Sequence, residues 1–146
     1  MPAATVKDIC DEVKTLIESF YPATFESIDV VNVPRMDEES LGGERCYIVG
    51  QGRTSSNSSR GIRQYTYTIL VFVVGRVDSA NSDSAYDIHE LALGVSEKLE
   101  RATLPISMVQ ETETTVVLYD AGQIKEQNVS QSLITVTFDG MVRAIG

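Results

Sequence analysis

The residues in this chain that could do acid–base chemistry include a single histidine. His89 lies on a predicted helix, one place after the core-facing Ile88 and close in sequence to Tyr86 and Glu90. An imidazole beside acids can act as a general base, but it needs a nucleophile or a second ligand, and the spacing around His89 supplies neither. We therefore predict a solvated or boundary histidine.

Two acidic clusters have the chemistry to attract a hard cation. One comprises residues 37–39, and the other comprises Asp8, Asp11 and Glu12. Neither has the alternating oxygen ligands and the terminal glutamate of a calcium loop, so we predict solvated surface at both, with no metal and no cofactor. Paired catalytic carboxylates need only spatial adjacency, so a small hydrolase or ligand-binding domain remains an alternative.

The segment GQGRTSSNSSRGIRQ, residues 50–64, begins like a glycine-rich phosphate cradle. The pattern Gly-x-x-x-x-Gly-Lys-Ser/Thr is absent, however, and Gly61 precedes a predicted strand rather than a helix. The segment carries Arg53, Arg60 and Arg63 and no acid. We predict a flexible hairpin tip over about residues 53–62 whose arginines face an acidic neighbour; a mobile loop without any partner is the alternative.

Charge is distributed unevenly around this segment. Residues 45–77 hold five arginines and no acid, whereas the remainder holds seven basic and 21 acidic residues, for a formal net charge of -9. An acidic protein is a poor general binder of nucleic acid. Tyr65 and Tyr67 beside the basic segment keep open a nucleic-acid module in which bases stack on tyrosine, although packing within a strand is the commoner role.

Composition predicts one soluble globular domain spanning residues 1–146, with 42% hydrophobic and 23% charged residues. The longest apolar run has six residues, far short of the roughly 18 that a membrane span requires, and the first residues show no export-signal pattern. Cys10 and Cys46 lack metal-ligand spacing and are predicted to be reduced core thiols. No catalytic constellation stands out, so we expect a structural or interaction protein and not an enzyme.

Two amphipathic helices must position these residues. Apolar residues recur at three- and four-residue spacing over residues 6–20, with Thr5 as N-cap and Asp8 as its partner. A second helix begins at a capping box formed by Ser84 and Asp87, and it ends before Pro105. One face of this helix is apolar, and it comprises Ile88, Leu91, Ala92, Val95, Leu99 and Ala102.

The remaining segments have strand patterns. Residues 62–77 alternate with a period of two, which is typical of a long strand, and Asp139-Gly140 is a turn signal. The order of elements predicts an α+β fold, a mainly antiparallel sheet with two amphipathic helices packed on one face and a long protruding β-hairpin. The other predicted strands are residues 27–33, 45–52, 106–110, 115–119, 132–139 and 141–145.

This order of elements resembles that of the tail terminator and tail-completion proteins of long-tailed bacteriophages. The likeness covers nearly the whole chain. It consists of the helix 6–20, the long strand 64–75, the second helix 88–99 and the closing strand pair 114–120 and 132–139. It rests on element order, size and acidity.

The resemblance implies a structural protein of the virion tail or neck, assembled in the host cytoplasm. Such proteins form a ring, commonly a hexamer, on the last disc of the tail tube; the ring ends polymerisation and presents a docking surface to the head-neck connector. DNA passes through the bore, and no membrane is involved. Another neck or head-completion protein is the nearest alternative.

A ring built from head-to-tail contacts needs two different complementary surfaces on each subunit. The candidates for contacts with a neighbouring subunit or with the tube form a basic set and an acidic set. The basic set is Arg53, Arg60 and Arg63, and the acidic set is Glu90, Glu97 and Glu100.

Overall fold

Three strands of 15 residues each dominate the computed structural model of this protein. The structure describes residues 5–31, 44–59, 62–76, 83–100, 110–119 and 129–143. Its elements, in chain order, are α1 (Val6–Phe20), β1 (Ser27–Val30), β2 (Arg45–Ser59), β3 (Ile62–Arg76), α2 (Asp83–Glu100), β4 (Gln110–Tyr119) and β5 (Val129–Arg143).

The predicted start of α1 is confirmed. Thr5 has an extended backbone, its hydroxyl accepts a hydrogen bond from the Asp8 N–H at 3.1 Å, and the Asp8 carboxylate accepts one from the Thr5 N–H at 3.1 Å. This capping box satisfies two N–H groups that the first helical turn leaves without an intrahelical partner. α2 begins at Asp83, so Ser84 lies within the helix and not at the predicted N-cap.

The strands form one sheet in the order β1-β2-β3-β5-β4. β1 runs parallel to β2, and every other neighbouring pair is antiparallel. The predicted α+β class with a mainly antiparallel sheet is confirmed. Among the described residues, no helix is both long enough and apolar enough to cross a membrane.

The prediction of a hairpin tip over about residues 53–62 was wrong about the secondary structure of residues 53–59. β2 continues to Ser59 and β3 begins at Ile62, so residues 53–59 are strand rather than loop. Their serines and threonines take strand geometry because β3 offers a backbone partner at nearly every position, down to the pair Ser59 and Ile62. The β-propensity of the individual residues does not predict such cross-strand pairing.

The end of the chain also differs from the expected pair of short strands. β5 is one strand that passes through Asp139 and Gly140 without a turn. Gly140 pairs with Tyr65, and Asp139 pairs with Thr66, whose hydroxyl donates to the Asp139 carboxylate at 2.7 Å. The long partner strand holds this segment extended, which overrides the local turn preference of Asp-Gly.

Three smaller expectations meet the structure in part. β1 ends at Val30, before the predicted end at residue 33, and β4 begins at Gln110, five residues before the predicted strand 115–119. The predicted strand 106–110 lies outside the described residues except for its last position. The acidic cluster 37–39 also lies outside them.

One buried cluster unites both helices with alternate residues of the sheet. Two glycines let the helices approach closely, because a side chain at Gly50 would collide with Val6 of α1 and one at Gly75 would collide with Ile88 of α2. The buried members of the cluster are Ile9, Cys10, Val13, Ile17, Cys46, Ile48, Tyr67, Ile69, Val71, Val73, Ile88, Ala92, Val95, Leu99, Ile134, Val136 and Phe138.

A smaller buried cluster consists of Tyr47, Phe72 and Val74. These residues alternate with members of the main cluster along β2 and β3, so they lie on the other face of the sheet. Arg45 extends this arrangement, since it donates to the Tyr47 hydroxyl at 3.3 Å and pairs with Glu26 at 3.1 Å. Both faces of the central strands are therefore apolar, as the run 69–74 indicates.

Candidate assembly surface

A β-bulge in β2 decides which face of the sheet Arg53 occupies. Gly50 pairs with Ile69 and Gly52 pairs with Thr68, so Gln51 is an extra residue. Before the bulge, even-numbered residues of β2 lie on the face of the main buried cluster, and after it odd-numbered residues do so, because an extra residue reverses the alternation. Arg53 therefore pairs with Tyr67 on the face of the main buried cluster.

Arg53 is engaged by two tyrosines of the neighbouring strand. Its guanidinium carbon lies 4.9 Å from the centroid of the Tyr65 ring, within the range of a cation–π contact. Its side chain is also hydrogen-bonded to Tyr67, which is 1% exposed. Burial raises the pKa of the Tyr67 hydroxyl, and the hydrogen bond from Arg53 opposes that rise. Arg53 thus satisfies a buried polar group and keeps its charge at the surface.

The other two arginines of the basic set have different positions. Arg63 is exposed on β3, where it pairs with Asn57 of β2 and Val142 of β5. Arg60 lies outside the described residues. By strand alternation Arg63 shares the face of Tyr65 and Tyr67, so the structure brings Arg53 and Arg63 to one face of the same polar end of the sheet.

The acidic set lies on another part of the molecule. Glu90, Glu97 and Glu100 are all exposed on α2. α2 packs against β3, β4, β5 and α1, whereas β2 packs against α1. Arg53 and Arg63 are consequently carried by the sheet, whereas the three glutamates are carried by a helix.

His89 has a structural contact. Its Nδ1 lies 3.2 Å from the hydroxyl oxygen of Ser132, which is completely buried on β5. A nucleophile must be reachable by substrate, and a buried hydroxyl between a helix and a sheet is not. The prediction of a boundary histidine agrees with this placement, in which the imidazole satisfies a buried polar group.

Both cysteines are buried and unpaired with each other, as predicted. Burial raises the pKa of the Cys10 thiol to about 11, with a smaller contribution from Asp11, and burial also raises the pKa of Cys46. Thiols with raised pKa values are poor nucleophiles and poor metal ligands at neutral pH. Among the described residues, no group of three or more His, Cys, Asp or Glu side chains has the geometry of a metal site.

A cleft of about 350 Å³ adjoins the first turn of α1. Among the described residues its lining is mainly apolar, with one ammonium group, whereas a small-ligand site usually has several convergent polar groups. The lining residues are Val6, Lys7, Cys10, Val30, Val31 and Gly50.

The sequence predicts the arginines as candidate contact residues but not the side chains that hold Arg53. The missed residues are Tyr65 and Tyr67 as partners of Arg53, and the signal was the Gly-Gln-Gly triplet, because glycine within a strand pattern indicates a bulge. No protein-family model matches this chain, and no curated protein matches it at a significant level.

Proposed function

We propose that this protein is a structural assembly protein of a long-tailed bacteriophage, which forms a homo-oligomeric ring on the tail tube. The ring, a hexamer by analogy with the resembling proteins, ends polymerisation of the tube and provides the surface on which the head-neck connector docks. DNA passes through its bore, and the subunit performs no catalysis.

The observation that carries this proposal is the polar end of the sheet. Residues of β2 and β3 nearest the core are buried, whereas Arg53, Thr54, Ser55 and Arg63 are exposed. We propose that this end is a hairpin that protrudes beyond a body in which both helices cover one face of the sheet. Such an extension suits contact with another subunit or with the tube.

Two further features support the proposal. Exposed Arg53 and Arg63 lie on the sheet, and the exposed acidic set lies on α2, which gives the two unlike surfaces that a head-to-tail ring requires. The observed order of α1, the long strand β3, α2 and the closing pair β4 and β5 also follows the order on which the resemblance rests.

The test uses purified protein with the tail tube protein encoded by the same phage genome. We expect ring-shaped particles in negative-stain electron microscopy, alone or on tube ends, and shorter tubes as the ratio of this protein to tube protein rises. A chain that stays monomeric at high concentration and leaves the length distribution of the tubes unchanged would contradict the proposed function.

A further inference from the structure

The sheet has two different edges, and their residues carry opposite charges. Among the described residues, β2 pairs with β1 only over Arg45–Ile48, so residues 51–59 have β3 on one side alone. At the other edge, β4 pairs only with β5 within the same described part of the chain. The segment 51–59 contains Arg53 and no acid, whereas the segment 110–114 contains Glu111 and Glu113 and no base.

The charged positions of the two edges also lie at the same level along the strands. Arg53 pairs with Tyr67, Tyr67 pairs with Phe138, and Phe138 pairs with Glu111. These four residues form one row from the β2 edge to the β4 edge. The basic position of one edge is therefore level with an acidic position of the other.

We propose that β4 of one copy pairs with the 51–59 segment of β2 in the next copy, so that one sheet continues through neighbouring subunits. Edge strands present unpaired backbone groups to a partner chain, and strand addition satisfies them with main-chain hydrogen bonds. This inference rests on the proposed function only in requiring a ring of identical copies.

Cyclic symmetry determines the register. Successive subunits of a closed ring are related by rotation without translation along the axis. If the strands run nearly parallel to the ring axis, a given row of paired residues lies at the same level along that axis in every copy. β4 then runs antiparallel to β2 of the next copy. Glu111 then stands beside Arg53 of the neighbour, whose charge remains while its guanidinium lies on Tyr65.

The difference between the β2 edge and the β4 edge also explains why such pairing would lead to a closed ring. A β2 edge that joined another β2 edge would bring like charges together and give only a dimer, whereas β2 joined to β4 is head-to-tail and continues until the ring closes. The bulges at Gln51 and Thr112 twist both edges at adjacent rows, which curves a continued sheet and disfavours flat, open-ended stacking.

The test is disulfide trapping in the double variant Thr54→Cys/Gln110→Cys. These two positions end the row that runs through Thr66 and Asp139, so within one chain they are three strand spacings apart, roughly 14 Å. A disulfide needs α-carbons within about 7 Å, so any bond between these positions joins two copies. The native thiols are buried and remain in place.

Under mild oxidation we expect a ladder of covalent oligomers on a non-reducing gel, with most of the chain cross-linked. Each single variant should remain monomeric. The double variant Thr54→Cys/Glu18→Cys, whose second position is exposed on α1, is the matched control and should give no ladder. Thr54→Cys combined with Thr112→Cys or Thr114→Cys covers a shift of register caused by strand tilt.

Hydrogen exchange on the unmodified protein provides a second readout. Backbone amides of residues 51–59 and 110–114 should exchange several-fold more slowly in the oligomer than in the monomer. Absence of both cross-links and protection overturns the inference, as do dimers from the single variant Thr54→Cys. Rings that cap tubes without these signals overturn only the edge pairing, whereas cross-linked rings that leave tube length unchanged overturn only the tail-terminator function.

Discussion

The guanidinium of Arg53 lies over the ring of Tyr65, 4.9 Å from its centroid, and the same side chain is hydrogen-bonded to the buried Tyr67. The arginine therefore has a role within the subunit. A cation–π contact at an exposed site contributes about 0.5–1 kcal/mol, and a hydrogen bond contributes about 1 kcal/mol. Tests of assembly that use Arg53 must separate this role from contacts between subunits.

We expect Arg53→Ser to lower the free energy of unfolding by about 1–2 kcal/mol, because Tyr67 loses a partner and Tyr65 loses its cation. Urea denaturation measures the change. Arg63→Ser is the matched control, since Arg63 is exposed, and its effect should stay within about 0.5 kcal/mol. Equal stability losses in the two variants would mean that the tyrosines do not hold Arg53.

The sequence predicted the helices well because their patterns are local. α1 has the predicted bounds, and its capping box is present. Features that depend on pairing were predicted less well: the extension of β2 to Ser59 and the passage of β5 through Gly140 follow from hydrogen bonds with β3. Such bonds join residues distant in sequence, so no local window contains them.

The candidate site shows the same division. Residue type and charge single out Arg53 and Arg63 as candidates, and their part in assembly stays a prediction. The face that they occupy depends on the bulge at Gln51, which reverses the alternation of side chains, and the partners of Arg53 depend on the register with β3. A shift of one residue in that register would move Arg53 to the other face.

Gly50 is predicted to be essential for the packing of α1 against β2. A side chain there would collide with Val6 and come within 3.1 Å of the Cys10 sulfur. We expect Gly50→Ala to lower the free energy of unfolding by about 1–3 kcal/mol through overpacking. Thermal and urea denaturation measure it.

A double-mutant cycle provides the control. Combining Gly50→Ala with Val6→Ala should cost less than the sum of the single changes, because the smaller side chain makes room for the added methyl group. Gly52→Ala is a matched variant with open space around the added atom. Additive effects of Gly50→Ala and Val6→Ala would show that the two residues do not compete for volume.

The buried cysteines should make the free energy of unfolding decrease at alkaline pH. At neutral pH the thiols are protonated in both the folded and the unfolded chain. Above pH 9.0, the ordinary pKa, Cys10 ionises in the unfolded chain but stays protonated in the fold, where burial raises its pKa to about 11. The free energy of unfolding should fall by about 2–3 kcal/mol across that interval from this group, and Cys46 should add to the loss.

Urea denaturation between pH 8 and pH 11 tests this expectation. The variant Cys10→Ala removes the ionisable group and should show a shallower decline than the unmodified chain. A decline of equal steepness in both proteins would assign the alkaline loss to other groups, among them Tyr67, whose pKa burial also raises.

The capping box of α1 predicts the opposite pH dependence. The hydrogen bond from the Thr5 backbone N–H lowers the pKa of the Asp8 carboxylate, and the Thr5 side chain adds a smaller contribution in the same direction. Because the pKa of Asp8 is lower in the folded chain than in the unfolded chain, this carboxylate contributes to the free energy of unfolding at a pH above its unfolded pKa. The contribution is lost as the pH falls through its folded pKa. Thr5→Ala should cost about 1 kcal/mol at neutral pH, whereas Thr5→Ser should retain most of the stability. Unfolding curves at neutral and acidic pH that do not distinguish these two variants would contradict the role of the cap.

Charge reversal distinguishes two acidic partners for the basic end of the sheet. If β4 pairs with β2 of the next copy, Glu111→Lys/Glu113→Lys places like charges beside Arg53 of the neighbour. We expect at least a ~10-fold weaker association, which corresponds to about 1.4 kcal/mol, and a smaller difference from the unmodified protein at high salt. Analytical ultracentrifugation across a concentration series measures both.

The matched control is Glu97→Lys/Glu100→Lys, which changes the net charge by the same amount on the exposed face of α2. If the edges pair, this variant should associate nearly as the unmodified chain does, because Glu97 and Glu100 lie on α2 and not on the pairing strand β4. The reverse result, with loss of association only in the α2 variant, would assign the acidic surface to Glu97 and Glu100. Each outcome thus selects one of two physically separate surfaces as the partner of Arg53 and Arg63.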